Sequence, residues 1–358
     1  MSVNYKVLNK YFDVDSLDLE YDRVVNDIKN VDIEYGIEVI FKYYRKHGFP
    51  HYTIREDEKH DHLKKLRKFN VNTIFEDNKI IQTMHCLRLA WTYFPHFWEV
   101  KCGGAKMSPM DIYNDDEKFK KTIRKCWKWN MKHFKGEEGM EKNTFKENRL
   151  RQSIKIYTGT QSVSNFRPTA AKLIYEKFGG DTIWDMSCGW GGRLIGFLAS
   201  SRKKYIGTEP SSLTFKGLQK IKKDFFYLKK SVELHKLGSE EFIPDRNSLD
   251  LCFTSPPYFD TEKYADEDTQ SYIKFPTKEE WVNGFLRKTI ENCYRGLKSG
   301  KHMLINIANT PKYKFIEEET QKIAKELGFV QNDTLQLTLS SVMGAGYKYE
   351  PIFVFKKN

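Results

Sequence analysis

From about residue 165 onward, short apolar runs alternate with amphipathic stretches of helical length, and no other feature restricts the fold of this chain as much. The pattern predicts strands at 181–185, 204–207, 249–253, 301–307 and 351–355, and helices at 166–178, 193–200, 213–228, 278–295 and 315–327. Strands separated by helices imply an α/β fold, a mostly parallel sheet covered on both faces. Such sheets bind ligands at the carboxyl ends of their strands, where the strand order reverses. The unusual residues of the sequence fall at those ends.

The first of these strands runs into Asp185-Met186-Ser187-Cys188-Gly189-Trp190-Gly191-Gly192-Arg193 and then a helix. Glycines let the backbone turn sharply and come close to a ligand. The dinucleotide fingerprint fails here, because the third glycine position counted from Gly189 holds Leu194. What fits is an acid ending the strand, a Gly-x-Gly turn, and a second acid, Glu209, ending the next strand. A carboxylate there can accept two hydrogen bonds from ribose hydroxyls; an exposed loop acid is the plain alternative. The strand at 249–253 leads to Ser255-Pro256-Pro257-Tyr258. Two prolines lack N–H groups and fix φ, so this strand end is rigid and presents acceptors. A serine oxygen and the Pro256 carbonyl aimed at one point can hold both hydrogens of an exocyclic amine, with Tyr258 flat against the ring that carries it. A stiff loop with an adjacent aromatic is the alternative.

Taken in order, these motifs resemble the amino methyltransferases that use S-adenosylmethionine and act on DNA bases, over residues 165–358. Asn165-Phe166-Arg167-Pro168-Thr169 looks like the segment that closes over the methionine end of the cofactor, and Asp185 to Gly191 like the cofactor loop. Glu209 looks like the ribose acid, Gly238-Ser239-Glu240 like the segment beside the adenine, Ser255 to Tyr258 like the catalytic tetrapeptide, and 349–355 like the closing strand. The resemblance implies a Rossmann-like class I methyltransferase domain over 151–358 with a mostly parallel seven-stranded sheet, and S-adenosylmethionine as cofactor. It implies Phe166, Arg167, Pro168, Asp185, Ser187, Gly189, Gly191, Glu209, Ser239 and Glu240 as cofactor-binding residues, and Ser255, Pro256, Pro257 and Tyr258 as catalytic ones. Ser187, Trp190 and Gly192-Arg193 depart from the usual loop. Ser at the head of the tetrapeptide is commoner among enzymes that methylate N4 of cytosine than N6 of adenine, which favours cytosine. Rival readings are methylation of adenine, of RNA or of a glutamine amide on a protein, and a catalytically silent nucleic-acid-binding module. Direct transfer to an amine needs no covalent enzyme intermediate, so Cys188 and Cys252 are expected to be small buried thiols.

Sixty Lys plus Arg against 48 Asp plus Glu give a net charge of +12, which favours a polyanionic partner such as nucleic acid, with a basic solvated surface as the alternative; the resemblance implies double-stranded DNA. Residues 1–150 are expected to form a largely helical accessory domain for target recognition, and within them 101–150 carries 13 basic and 8 acidic residues. The run Lys118 to Lys135 sets eight Lys or Arg beside Phe119, Trp127, Trp129 and Phe134. Lys121, Arg124, Lys125, Lys128 and Lys132 can neutralise phosphates while Trp127 and Trp129 stack on bases. An amphipathic helix that buries its aromatic stripe is an equal alternative. The polar, tyrosine-rich stretch 259–280 reads either as a loop over an extruded base or as a surface connection. There is no run of roughly 18 to 20 apolar residues, no apolar leader, and six scattered cysteines without a Cys-x-x-Cys pair. The expectation is a cytoplasmic protein, or one of the host-cell cytoplasm if a virus encodes it, with no membrane and no metal.

Overall fold

The structure, a computed structural model, describes residues 32–133, 147–342 and 346–358. These residues form two compact units, each assembled from two stretches of chain. One takes the described residues up to His51 together with Phe97–Val163, and the other takes Tyr52–His96 with Ser164–Asn358. The division is interleaved rather than a single cut at 150, so residues 52–96 belong with the unit that carries the glycine turn and the tetrapeptide.

The first unit is built from the helices Ile33–His47, Pro109–Asn114, Asp116–His133 and Glu147–Lys155. Local chemistry sets their starts. Asp32 accepts the N–H groups of Glu34 and Tyr35 at 2.9 and 3.3 Å, and Ser108 and Asp111 form a reciprocal capping box. Ile37, Ile40, Tyr44, Phe119, Ile123, Trp127, Leu150 and Ile154 make the core of this unit. Gly36 has no Cβ because Trp127 stands there: a Cβ would lie 2.4 Å from its ring.

The second unit holds a nine-stranded sheet. Its strands in chain order are β1 (Phe75–Glu76), β2 (Lys79–Ile80), β3 (Thr182–Asp185), β4 (Lys204–Thr208), β5 (Ser231–His235), β6 (Leu249–Thr254), β7 (Leu297–Asn306), β8 (Phe329–Val342) and β9 (Gly346–Lys357). Their order in space is β1-β2-β8-β9-β7-β6-β3-β4-β5. Five strands, β5-β4-β3-β6-β7, pair in parallel, whereas β9 runs antiparallel to both β7 and β8. The expected seven strands are therefore corrected to nine. The two additional ones are a hairpin from the N-terminal half, closed by Asp77 and Asn78 with φ of 48° and 61°. Positive φ at both central residues is the turn that matches strand twist, and β2 then joins β8 in parallel. The helix expected over 278–295 is interrupted by a π-helical segment, Val282–Arg287.

From β3 the chain proceeds outward to β4 and β5, then returns to β6 on the other side of β3. This reversal splays the connections apart at the carboxyl ends of β3 and β6. Among the described residues, no helix is long and apolar enough to cross a membrane, and no group of three or more His, Cys, Asp or Glu is placed to hold a metal ion.

Candidate functional site

A cleft of about 310 Å³ opens at the carboxyl ends of the parallel strands. Of the residues expected to bind cofactor or carry catalysis, Phe166, Arg167, Ser187, Gly189, Glu209, Ser239, Glu240, Ser255, Pro256, Pro257 and Tyr258 line it, and Pro168, Asp185 and Gly191 do not. Pro168 opens the helix Pro168–Phe178, where a missing N–H is harmless.

Asp185 works beneath the surface. Fully buried, it takes Arg193 Nε on both oxygens at 3.1 and 3.0 Å, the Tyr205 hydroxyl at 2.6 Å and the Ser187 N–H at 3.4 Å. Arg193 also donates to the Ser187 carbonyl. The ion pair thus ties the strand end, the start of the glycine turn and the following helix into one unit, and the facing carboxylate holds the Arg193 guanidinium more basic than usual despite burial. A buried pair of this kind loses most when one partner is removed.

The glycines of the turn have distinct jobs. Gly189, at φ +53°, is the one whose Cβ would meet nothing nearer than the Ser187 carbonyl at 3.8 Å, so its bare face is open to the cleft. Gly191, at φ +72°, begins the helix Gly192–Ala199 and packs on Ile221 and Phe94. At Gly192 a Cβ would lie 2.0 Å from the Phe166 carbonyl oxygen, because Asn165 to Arg167 rests directly on the turn, with Asn165 Nδ2 donating to the Trp190 carbonyl at 2.8 Å. Trp190 is buried among Trp91, Phe94, His96 and Tyr264, with ring centroids 5.2 to 6.1 Å away.

Glu209 is 8% exposed and accepts the Gly189 N–H at 2.9 Å and the Ser211 N–H at 3.0 Å. Burial outweighs these bonds and pushes its carboxyl up to about 7. Arg167 is half-buried in the cleft wall: one guanidinium nitrogen donates to the Asn165 carbonyl at 3.1 Å, the buried Nε lacks a partner, and desolvation lowers its basicity. Glu240 pairs through Oε1 with Lys274 at 2.8 Å while its buried Oε2 has no donor.

β6 and β7 are in register at Thr254 and Ile305, so Ser255 leaves the sheet beside Asn306. Asn306 Nδ2 donates to the Pro351 carbonyl at 3.0 Å, and the Tyr258 hydroxyl donates to the Asn306 carbonyl at 3.2 Å. Glu350 hydrogen-bonds with Tyr258 and Asn306, and its burial raises its carboxyl pKa. The phenol is thereby anchored at its far end, which fixes the plane of the ring. Phe259, at φ +56°, then turns the chain abruptly into the core against Trp281 and Tyr313. An aromatic in this left-handed region stores on the order of 1–3 kcal/mol of strain, offset by that burial.

Residues 249–358 match a family model described as DNA methylase. That stretch contains Ser255 to Tyr258, Asn306 and Glu350. No curated protein sequence matches the chain significantly. Among solved structures, the chain is similar to a TehB-like SAM-dependent methyltransferase from Corynebacterium glutamicum, at 14% identity and a TM-score of 0.36, covering 55% of this chain and 90% of that one. It is also similar to magnesium protoporphyrin IX methyltransferase from Synechocystis with bound SAM, at 13% identity and 0.37, covering 53% and 76%, and to a putative RNA methyltransferase from Pyrococcus horikoshii, at 16% and 0.35, covering 53% and 81%. Similarity this distant carries no argument about substrate.

The sequence reading did not include Asn306, Glu350, Gln82, Gln270 or Phe285 among the cleft residues. Asn306 had a signal, a polar residue ending an apolar strand. The others arrive from segments whose path only the fold determines. Phe285 is turned into the cleft from the π-helical segment, a device common at functional sites.

All six cysteines are free and buried. Cys188 packs under Gly207, and desolvation pushes its thiol well above the ordinary range.

In the first unit, Lys121, Lys125 and Lys128 are exposed on one face of the helix Asp116–His133. Arg124 is paired with Glu34. Trp127 is 4% exposed in the core, and Trp129 is half-buried with the Arg149 guanidinium 3.8 Å from its ring centroid. Trp127 is therefore not offered to a base, which corrects that expectation: it lies on the apolar face of an amphipathic helix. The Lys132 side chain, Phe134 and Lys135 lie outside the described residues.

Proposed function

We propose that the chain transfers a methyl group from S-adenosylmethionine to the exocyclic amine of a DNA base, N4 of cytosine in preference to N6 of adenine. The observation that carries this reading is the placement of a rigid Ser-Pro-Pro-Tyr strand end, Gly189 of the glycine turn and Glu209 on one cleft. The match of 249–358 to a DNA methylase model supports DNA as the substrate.

The cleft suits the cofactor on its own chemistry. It presents a guanidinium with an unpaired Nε, Arg167, for a carboxylate, a bare glycine face at Gly189, Glu209 for ribose hydroxyls, and an unfilled acceptor on Glu240 for an adenine amine. S-adenosylmethionine supplies an electrophilic methyl carbon when bound. Asp185 positions the turn through Arg193 and does not touch the ligand. Ser255 Oγ and the Pro256 carbonyl accept the two amine hydrogens of the base, which draws the nitrogen lone pair out of the ring system. Tyr258, held by its hydroxyl, stacks on the ring. The base reaches this position by extrusion from the duplex, which costs a few kcal/mol of unstacking. Catalysis then rests on positioning and on oriented acceptors. Lys121, Lys125 and Lys128 contact phosphates, and the first unit contributes to target recognition.

The test is expression in a host lacking DNA methylation, followed by digestion of host DNA to nucleosides and mass spectrometry. N4-methylcytosine is expected. N6-methyladenine would overturn the choice of base and leave the mechanism. Neither mark, with a chain that binds S-adenosylmethionine, would overturn the DNA reading.

A further inference from the structure

Gln270 is 6% exposed, lines the cleft, and leaves Nε2 without a partner. An unpaired buried amide donor costs about 1–3 kcal/mol, and one that faces a ligand-sized cleft is placed for a ligand to complete it. Its place in the cleft is fixed from two sides. On one flank the Ser212 N–H donates to Glu267 Oε1 and Oε2 at 2.9 and 3.1 Å, and Thr269 Oγ1 donates to the Pro210 carbonyl at 3.3 Å. These bonds tie the segment to the residues that follow Glu209. On the other flank Lys274, whose N–H donates to the Gln270 carbonyl at 2.9 Å, pairs with Glu240 and Glu241. Gln270 therefore stands between the ends of β4 and β5, whereas Ser255 follows β6.

Glu240 leaves a buried acceptor at the same end of the cleft. A carboxylate acceptor and an amide donor that line one cleft, on segments linked through Lys274, complement the edge of adenine farthest from its sugar, where the exocyclic amine donates and N1 accepts. We propose that Gln270 is a specificity residue for the base of the cofactor, its Nε2 donating to adenine N1 while Glu240 Oε2 accepts the amine. This rests on the S-adenosylmethionine reading. It gives the loop after the tetrapeptide a role on the cofactor side of the cleft. A hypoxanthine base, with an acceptor at position 6 and a donor at N1, meets like against like at both residues.

Calorimetric titration with S-adenosylhomocysteine and with S-inosylhomocysteine tests it on the intact chain. Gln270→Ala is expected to weaken the adenine ligand about tenfold, a typical consequence of one lost buried hydrogen bond, and to leave the hypoxanthine ligand unchanged or tighter. Gln270→Glu, which puts an acceptor where the donor stood, should shift selectivity further toward hypoxanthine. An unchanged melting temperature of the ligand-free variants excludes misfolding as the cause. Equal loss on both ligands, or no loss on either, overturns the role of Gln270 and leaves the cofactor reading standing. Failure of the unaltered chain to bind S-adenosylhomocysteine overturns both.

Discussion

Glu209 allows a quantitative test, because its carboxyl is pushed up to about 7 by burial while its proposed partner requires the charged form. A ligand that binds only ionised Glu209 sees an affinity scaled by the ionised fraction. At pH 5.5 that fraction is ~3%, against nearly all at pH 8.5, so the dissociation constant of S-adenosylhomocysteine should weaken ~30-fold on acidification. Glu209→Gln should bind on the order of 10- to 100-fold more weakly at pH 8.5, with charge-assisted bonds replaced by neutral ones. Its profile should lack the step centred near 7. The difference between the two profiles removes any titration of the ligand itself. The free protein responds with the opposite sign. The folded-state pKa lies above the ordinary value of 4.5, so Glu209 supports folding most below pH 4.5, and that support is lost as pH rises through about 7. The loss amounts to up to ~3 kcal/mol, so ligand-free melting temperature should fall over this window and ligand should restore it. A dissociation constant that changes less than about threefold between pH 5.5 and 8.5, or a Gln variant with the same step, refutes the reasoning.

Three further outcomes follow from the site and the first unit. Ser255→Ala and Tyr258→Ala should abolish methylation, a loss of at least ~100-fold, while S-adenosylhomocysteine binding by calorimetry stays within about threefold; parallel loss of both would point to a collapsed fold. Gly192→Ala drives a Cβ to 2.0 Å from the Phe166 carbonyl, and overpacking of this kind costs ~1–3 kcal/mol, read as a drop of several degrees in melting temperature. A variant as stable as the parent would mean that 165–167 does not rest on the turn. Replacing Lys125 and Lys128 by Ala should lower the slope of log affinity for duplex DNA against log salt by ~1 for each phosphate no longer neutralised; an unchanged slope removes this helix from the interface.

What could be read in advance was chemistry fixed by a few neighbouring residues. The Pro-Pro strand end and the glycine turn are rigid wherever they occur, so the placement of Ser255 to Tyr258 and Gly189 at strand ends, where they line the cleft, is legible from local sequence. Glu209 could be placed because it ends a strand of plain apolar pattern. Asp185, expected as a ligand contact, is buried against Arg193 and does not line the cleft, a placement that depends on which way a strand-end side chain points. Trp127 looked equally suited to a base or a core, and Gly36 opposite it decides for the core. The hairpin at 75–80 escaped notice because each strand has only two residues, although Asp77-Asn78 is a turn signal. β5 and β8 alternate polar and apolar residues and lack the continuous apolar run that marks the central parallel strands, because β5 is the sheet's edge and β8 has a mere two-residue strand on its outer side.

The sheet order also bears on how the chain is made. β9 is last of the nine in sequence yet sits between β7 and β8. Until residues 346–357 have left the ribosome, β8 and the β1–β2 hairpin have no strand that pairs them to the parallel core. The 265 residues between Ile80 and Gly346 put tens of seconds of synthesis, at ~5–20 residues per second, between the hairpin and its seat. A ribosome that stops short of β9 releases a chain lacking Glu350 and the Pro351 carbonyl that holds Asn306, with the open edge of β7 exposed as a target for proteolysis. The tyrosine anchor is thus complete only once β9 has been made and paired.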